Sequence, residues 1–111
     1  MYKDVAVNKF LIILLLALSP SAYAMTECVA KVSRYFVGTS EVNQDEAHLW
    51  VNFESGGSAS VSSKSAAYNS MLSAVISALV SQNTVKVRYF KDGADCTKHN
   101  SDWVGIWVYR K

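Results

Sequence analysis

The stretch SAAYNSMLSAVISALVSQN, residues 65–83, carries no charged side chain, in a chain that is 18% charged. Within it Tyr68, Met71, Leu72, Val75, Ile76, Leu79 and Val80 recur at intervals of three and four, which is the periodicity of one helix face. Ser63 or Ser65 is placed to cap its start. Asn83, tolerant of a left-handed conformation, is placed to end it. A helix washed by solvent carries Lys and Glu on its outer side, whereas here the second flank holds Asn69, Ser70, Ser73, Ala74, Ser77, Ala78 and Ser81. Small uncharged residues permit close approach by another protein surface. We therefore read Asn69, Ser70, Ser73, Ala74, Ser77 and Ala78 as an oligomer interface, the plain alternative being a Ser/Ala-rich helix solvated on a monomer.

On either side of this helix the period changes from 3.6 to 2. Residues 28–39, CVAKVSRYFVGT, are rich in β-branched and aromatic residues and read as a strand ending near Gly38. Residues 40–46 are a polar, acidic loop. In residues 47–53 Leu49, Val51 and Phe53 alternate with His48, Trp50 and Asn52, and after the ESGG turn SASVSS is a short strand. Behind the helix, Val85, Val87 and Tyr89 alternate with Lys86, Arg88 and Phe90. A turn-rich connection, KDGADCTKHNSD, leads to a closing strand with Val104, Ile106 and Val108 on one face and Trp103, Trp107 and Tyr109 on the other. The order is β-β-β-α-β-β, mostly β with one helix. Five short strands cannot keep both faces dry in a flat sheet, but a small barrel buries one face and removes most of the open edge. A helix between the third and fourth strands is where the five-stranded OB-fold has one. Another small α+β sandwich with the same element order is the competing architecture.

The ends set the compartment. Lys3 and Lys9 precede the apolar run FLIILLLAL, and SPSAYA follows with Ala22 and Ala24 at the small-residue positions. Residues 1–24 thus read as a secretory signal peptide and residues 25–111 as one small domain. The apolar run is too short for a bilayer span, so no membrane insertion is expected. Export, to the periplasm or outside the cell, supplies an oxidising environment. Cys28 and Cys96, the only cysteines, are then read as one disulfide, with two buried free thiols as the alternative. Closing a loop of that length constrains the unfolded chain by roughly 4 kcal/mol in the entropy model. The leader holds Lys3, Lys9 and Asp4, which leaves nine basic against eight acidic residues, scattered and without a basic run. That balance, with export, argues against a nucleic-acid ligand.

The segments VSRYFVGTSEVN (residues 32–43), YNSMLSAVISALVSQNTVKVRYF (residues 68–90) and GIWV (residues 105–108) resemble the B subunits of the subtilase cytotoxin, pertussis and typhoid toxin group. The resemblance runs over most of the chain after the leader. It implies an OB-fold that assembles as a pentameric ring with the helices lining a central pore, an outer surface that binds host glycans, often sialylated, and a catalytic A subunit docked on the ring. A first-strand serine that contacts sialic acid in the subtilase relatives falls at or beside Cys28 here, and a cysteine held in a disulfide offers no hydroxyl.

Trp50, Trp103, Trp107 and Tyr109 lie opposite the apolar rows and are the expected ligand-binding residues, since exposed aromatic rings stack on sugars and on protein partners. Lys86 and Arg88 are candidates to pair with Asp45 and Glu46. His48 and His99 are far apart in sequence, no spacing matches a metal site, and no G-x-S-x-G elbow is present. Asp95 and Asp102, on either side of His99, suit turn chemistry. The expectation is a non-enzyme without cofactor or metal: an exported, ring-forming, glycan-recognising B-subunit-like protein. A stand-alone periplasmic or secreted OB-fold domain that binds a protein partner or small ligand is the alternative.

Overall fold

The first strand is too long to have a single partner. In a computed structural model, which describes residues 24–110, the elements are β1 (Thr26–Thr39), β2 (Ala47–Phe53), β3 (Ser58–Ser62), α1 (Tyr68–Ser81), β4 (Thr84–Tyr89), β5 (His99–Asn100) and β6 (Trp103–Val108). The signal peptide expected over residues 1–24 lies, apart from Ala24, outside the described residues. Residues 26–31 of β1 pair antiparallel with β4, residues 32–39 pair antiparallel with β2, and the register shifts between Val32 and Arg34. An extra residue in one strand bends it and increases its twist. One strand thereby serves two ladders, and the sheet, ordered β5-β3-β2-β1-β4-β6, curls into a half-barrel.

The concave side follows the alternation in the sequence. Leu49, Val51 and Phe53 of β2, Ala59 and Val61 of β3, and Val85, Val87 and Tyr89 of β4 are buried in one core. Each large apolar side chain so buried contributes about 1.5–3 kcal/mol. α1 adds Met71, Val75 and Ala78 to the same core. Burial and the Asp102 carboxylate push the Tyr89 phenol up to about 12. The alternation fails in β6. There the register against β4 shifts between Arg88 and Tyr89, so that Tyr89 faces Trp103 while Arg88 faces Gly105. Trp103 is turned inward and is 3% exposed, with its Nε1–H donating to the Gly105 carbonyl at 2.7 Å. The expected outward position of Trp103 is thus corrected.

Six strands replace the expected five, because two residues of the turn-rich connection, His99 and Asn100, pair in parallel with Ser58 and Ala59. The sheet's two outermost strands, β5 and β6, are consecutive in the chain and separated only by Ser101 and Asp102. The helix ends also differ by a residue or two. Ala67 is the N-cap and has no side-chain oxygen to offer; Ser65 Oγ instead accepts the Ala67 N–H at 3.3 Å. Gln82, not Asn83, takes the left-handed conformation (φ 56°), and the Gln82 and Asn83 N–H groups both donate to the Ala78 carbonyl.

The connection that delivers β5 is held at its start by Thr26, whose hydroxyl donates to the Lys91 carbonyl and accepts the Ala94 N–H, and is fastened further on as well. Cys96 is bonded to Cys28 of β1, with 5.7 Å between Cα atoms. The Ser58 N–H donates to the Lys98 carbonyl at 3.3 Å. Gly57 lies against the connection so closely that a Cβ there would fall 2.1 Å from the Cys96 carbonyl oxygen. Both groups in that contact are backbone and cannot swing away. Gly57→Ala is therefore expected to destabilise the oxidised protein by about 1–3 kcal/mol, the usual cost of forced overpacking, as measured by denaturant unfolding; an unchanged midpoint would show that the connection is not seated on Gly57.

Candidate functional site

The pairing that builds the core also fixes which side chains share the convex face of β1, β2 and β3. Opposite the buried Leu49 and Val51, three rows run across the strands: Arg34–Asn52–Ser58, Phe36–Trp50–Ser60 and Gly38–His48–Ser62. Phe36 and Trp50 are directly paired and are 59% and 41% exposed. Phe36 leans along its strand over Gly38, where a Cβ would meet its ring tip at 2.9 Å. Two hollows open on either side of this aromatic row. One, of about 530 Å³, is lined by Arg34, Tyr35, Phe36, Trp50 and Asn52. The other, of about 370 Å³, is lined by Phe36, Gly38, Thr39, Ser40, His48, Trp50 and Ser60.

Trp50 is backed by an imidazole. The His99 ring stacks on the indole with centroids 3.8 Å apart and planes inclined by 10°. Its Nδ1 lies 2.8 Å from Ser58 Oγ and its Nε2 lies 3.2 Å from Ser60 Oγ. In the neutral ring one nitrogen donates to a serine oxygen and the other accepts a serine hydroxyl. His99 remains open to solvent on one side, and its partial desolvation against this face lowers its pKa below the ordinary histidine value of 6.5. At the far end of the face, Glu46 accepts a short hydrogen bond from the Ser62 hydroxyl. Lys64 Nζ and His48 Nε2 lie 3.6 Å and 3.7 Å from its carboxylate. The Ser62 hydroxyl, ahead of the two nitrogens, holds the Glu46 carboxyl below its usual range.

The contacts of His99 with two serines do not make a nucleophilic site. Ser60 is only 7% exposed, and among the described residues no carboxylate orients the imidazole. Among those residues no group of three or more His, Cys, Asp or Glu is placed to hold a metal ion, and no helix is long and apolar enough to cross a membrane. Asp95 serves a turn, its Oδ1 accepting the Thr97 N–H at 2.9 Å and hydroxyl at 2.6 Å, whereas Asp102 Oδ2 accepts the Lys91 N–H at 2.7 Å and so ties the two ends of the connection together.

Trp107 and Tyr109 stand elsewhere, on the outer side of β4 and β6. Trp107 Nε1–H donates to Glu27 at 3.0 Å, and Arg88, 3.3 Å from the same carboxylate, lies over the Trp107 ring. Lys86 lies over Tyr109. The expected pairing of Lys86 and Arg88 with Asp45 and Glu46 is therefore replaced by Arg88–Glu27 and Lys64–Glu46. Of the four expected ligand-binding aromatics, Trp50 belongs to one patch, Trp107 and Tyr109 to a second, and Trp103 to the core. Phe36, Arg34, Asn52 and His99 complete the first patch and were not among the expected residues. Phe36 shares strand parity with Gly38, which was a usable signal; the reach of His99 onto β3 left none.

On α1, Asn69, Ser70, Ser73 and Ser77 are exposed and Ala74 is half-buried. Ala78 is 1% exposed and belongs to the core, which corrects its place on the outer flank. Three residues on from Val75 and seven on from Met71, it lies beside Met71 on the arc that faces the sheet. Ile76 and Val80, expected in the inward stripe, are instead 40% and 79% exposed beside Ser73 and Ser77. The outer flank is thus partly aliphatic and still uncharged.

Comparison with protein-family models, with characterised proteins and with solved structures finds no match to this chain.

The depressed pKa of His99 fixes a sign. The unfolded chain, with the more basic imidazole, binds more protons between the ordinary histidine value and the lower folded one, so stability falls as pH drops from 6.5 towards the folded pKa. We expect the His99 ring-proton resonances to titrate below 6.5, and His99→Gln to remove that part of the pH slope in unfolding experiments; titration at or above the ordinary value contradicts the partial desolvation of the ring between Trp50 and β3.

Proposed function

We propose that this chain is an exported OB-fold binding subunit, similar to the toxin B subunits, which assembles into a ring and recognises a glycan through the convex face of β1–β3. The barrel reading is supported by topology. Its supports are a bent first strand with two partners, a helix between β3 and β4, and consecutive short strands of which one pairs in parallel with β3 and the other antiparallel with β4. Export is supported by the leader and by the Cys28–Cys96 disulfide, which suits an oxidising compartment.

The observation that carries the ligand reading is the exposed Phe36–Trp50 pair with a hollow on each side. Aromatic rings stack on the apolar face of a sugar, while Asn52, Thr39, Ser40 and the Arg34 guanidinium offer hydrogen bonds to its hydroxyls and to a carboxylate. The ring reading is supported by the uncharged flank of α1, where Ile76 and Val80 stand open among Asn69, Ser70, Ser73, Ala74 and Ser77. In that arrangement a catalytic A subunit is the partner the ring would carry. A stand-alone exported domain that binds a protein or small ligand is the second reading, and the Trp107–Tyr109 patch with its overlying cations favours it.

A sialylated glycan series immobilised on a surface tests the ligand reading. Trp50→Ala is expected to weaken binding about tenfold or more, as loss of a central aromatic anchor does, and Trp107→Ala to leave it unchanged. No binding to any glycan, or the opposite ranking of the two variants, removes the claim.

A further inference from the structure

We propose that His99 is the positioning residue of the Trp50 face, and that its own position is set from the far end of the chain by the connection bonded at Cys96. An indole projecting from the outer side of a strand touches its neighbours along one edge and has several rotamers open to it. Here a second ring lies flat beneath it at 3.8 Å. The imidazole cannot rotate freely, because Ser58 and Ser60, two residues apart on one face of β3, hold both of its nitrogens. Nor can its backbone drift. Residues 99 and 100 pair with β3, and the Asn100 side-chain amide donates to the carbonyls of Asp95 and Lys98 at 2.9 Å and 3.2 Å. Three residues upstream, Cys96 is tied to β1 across a sequence separation of 68.

The result is a relay of rigid contacts from β1 through the disulfide to β5, then His99, then Trp50. Each contact removes a freedom that a ligand would otherwise have to freeze, which is how preorganisation raises affinity. His99 itself faces β3 and the indole rather than either hollow; it lines neither of them. Its effect on binding is therefore exerted through Trp50. The binding consequence rests on the glycan reading above, whereas the positioning of the indole does not.

The experiment uses the full exported chain, oxidised, in a Trp107→Phe background, so that Trp50 is the one solvent-exposed tryptophan and the buried Trp103 stays silent to acrylamide. Fluorescence anisotropy decay and acrylamide quenching report the freedom of the indole, and titration with a sialylated trisaccharide reports binding. His99→Ala is expected to give a fast anisotropy component, to raise quenching and to weaken trisaccharide binding about tenfold through lost preorganisation. The pair Ser58→Ala and Ser60→Ala, which leaves the ring but frees it, is expected to loosen the indole partway, and it guards against a His99→Ala chain that does not fold. Adding His99→Phe to that pair replaces a polar-held ring by an apolar one of similar shape and is expected to restore both signals. An indole no freer in His99→Ala and in the serine pair overturns the proposal, as does a chain with His99→Phe no better than the alanine variant. A parent protein that binds no trisaccharide while His99→Ala still frees the indole removes the glycan reading and leaves the positioning role standing.

Discussion

The bond between Cys28 and Cys96 is the covalent tie in a connection that hydrogen bonds also hold to β1 through Thr26 and to β3 through Ser58. Residues 91–98 contain no helix or strand, and their side chains are mostly exposed. Tied to β1, they pass over Gly57 and lay two residues against β3. Those two residues give the sheet its sixth strand, and one of them supplies the ring under Trp50. A domain of this size has a modest core, and one covalent staple that closes most of the chain into a loop limits the unfolded ensemble by about 4 kcal/mol in the entropy model. The same staple that stabilises the fold orders the outer face.

That outer face is divided by the long bent strand. The half of β1 that pairs with β2 carries Arg34 and Phe36 into the row with Trp50. The other half carries Glu27 into a network with Arg88 and Trp107. The two patches differ in chemistry. Around Trp50 the aromatic rings are open and flanked by hollows, whereas Trp107 and Tyr109 lie beneath cations and one is hydrogen-bonded to a carboxylate. Exposed ion pairs and cation–π contacts are weak holders of structure, so the second patch is an accessible surface with no hollow of its own among those described.

Much of this was legible from periodicity. The alternation in residues 47–53 and 84–89 gave the inner and outer sides of β2 and β4, and the i, i+3, i+4 pattern placed one helix between β3 and β4. What the pattern missed has identifiable physical causes. The shift of register beside Tyr89 turns Trp103 inward, and no count of alternate residues anticipates such a shift. Ala78, read as part of a small outer flank, is instead buried in the core beside Met71 and Val75, because a small residue fits either side of a helix. Ile76 and Val80 lie outside because the inward arc of α1 is already filled by Tyr68, Met71, Leu72, Val75 and Leu79. His99 was invisible as a site residue because its contacts depend on a two-residue strand inside a connection rich in turn formers. On the site, the sequence named Trp50 but neither its cross-strand partner Phe36 nor its stacking partner.

The outer flank of α1 is the place where the account is most exposed to refutation. Two aliphatic side chains stand open there, in a helix without a single charge, and burial against identical copies is the role we assign them. Sedimentation equilibrium of the oxidised protein spanning residues 25–111 at micromolar concentration, alone and with Ile76→Asp and Val80→Asp, tests this most directly. The account predicts a closed assembly several times the mass of one chain that falls to monomer in the aspartate variant. A parent protein that is monomeric throughout, or an assembly that the aspartates leave intact, contradicts it.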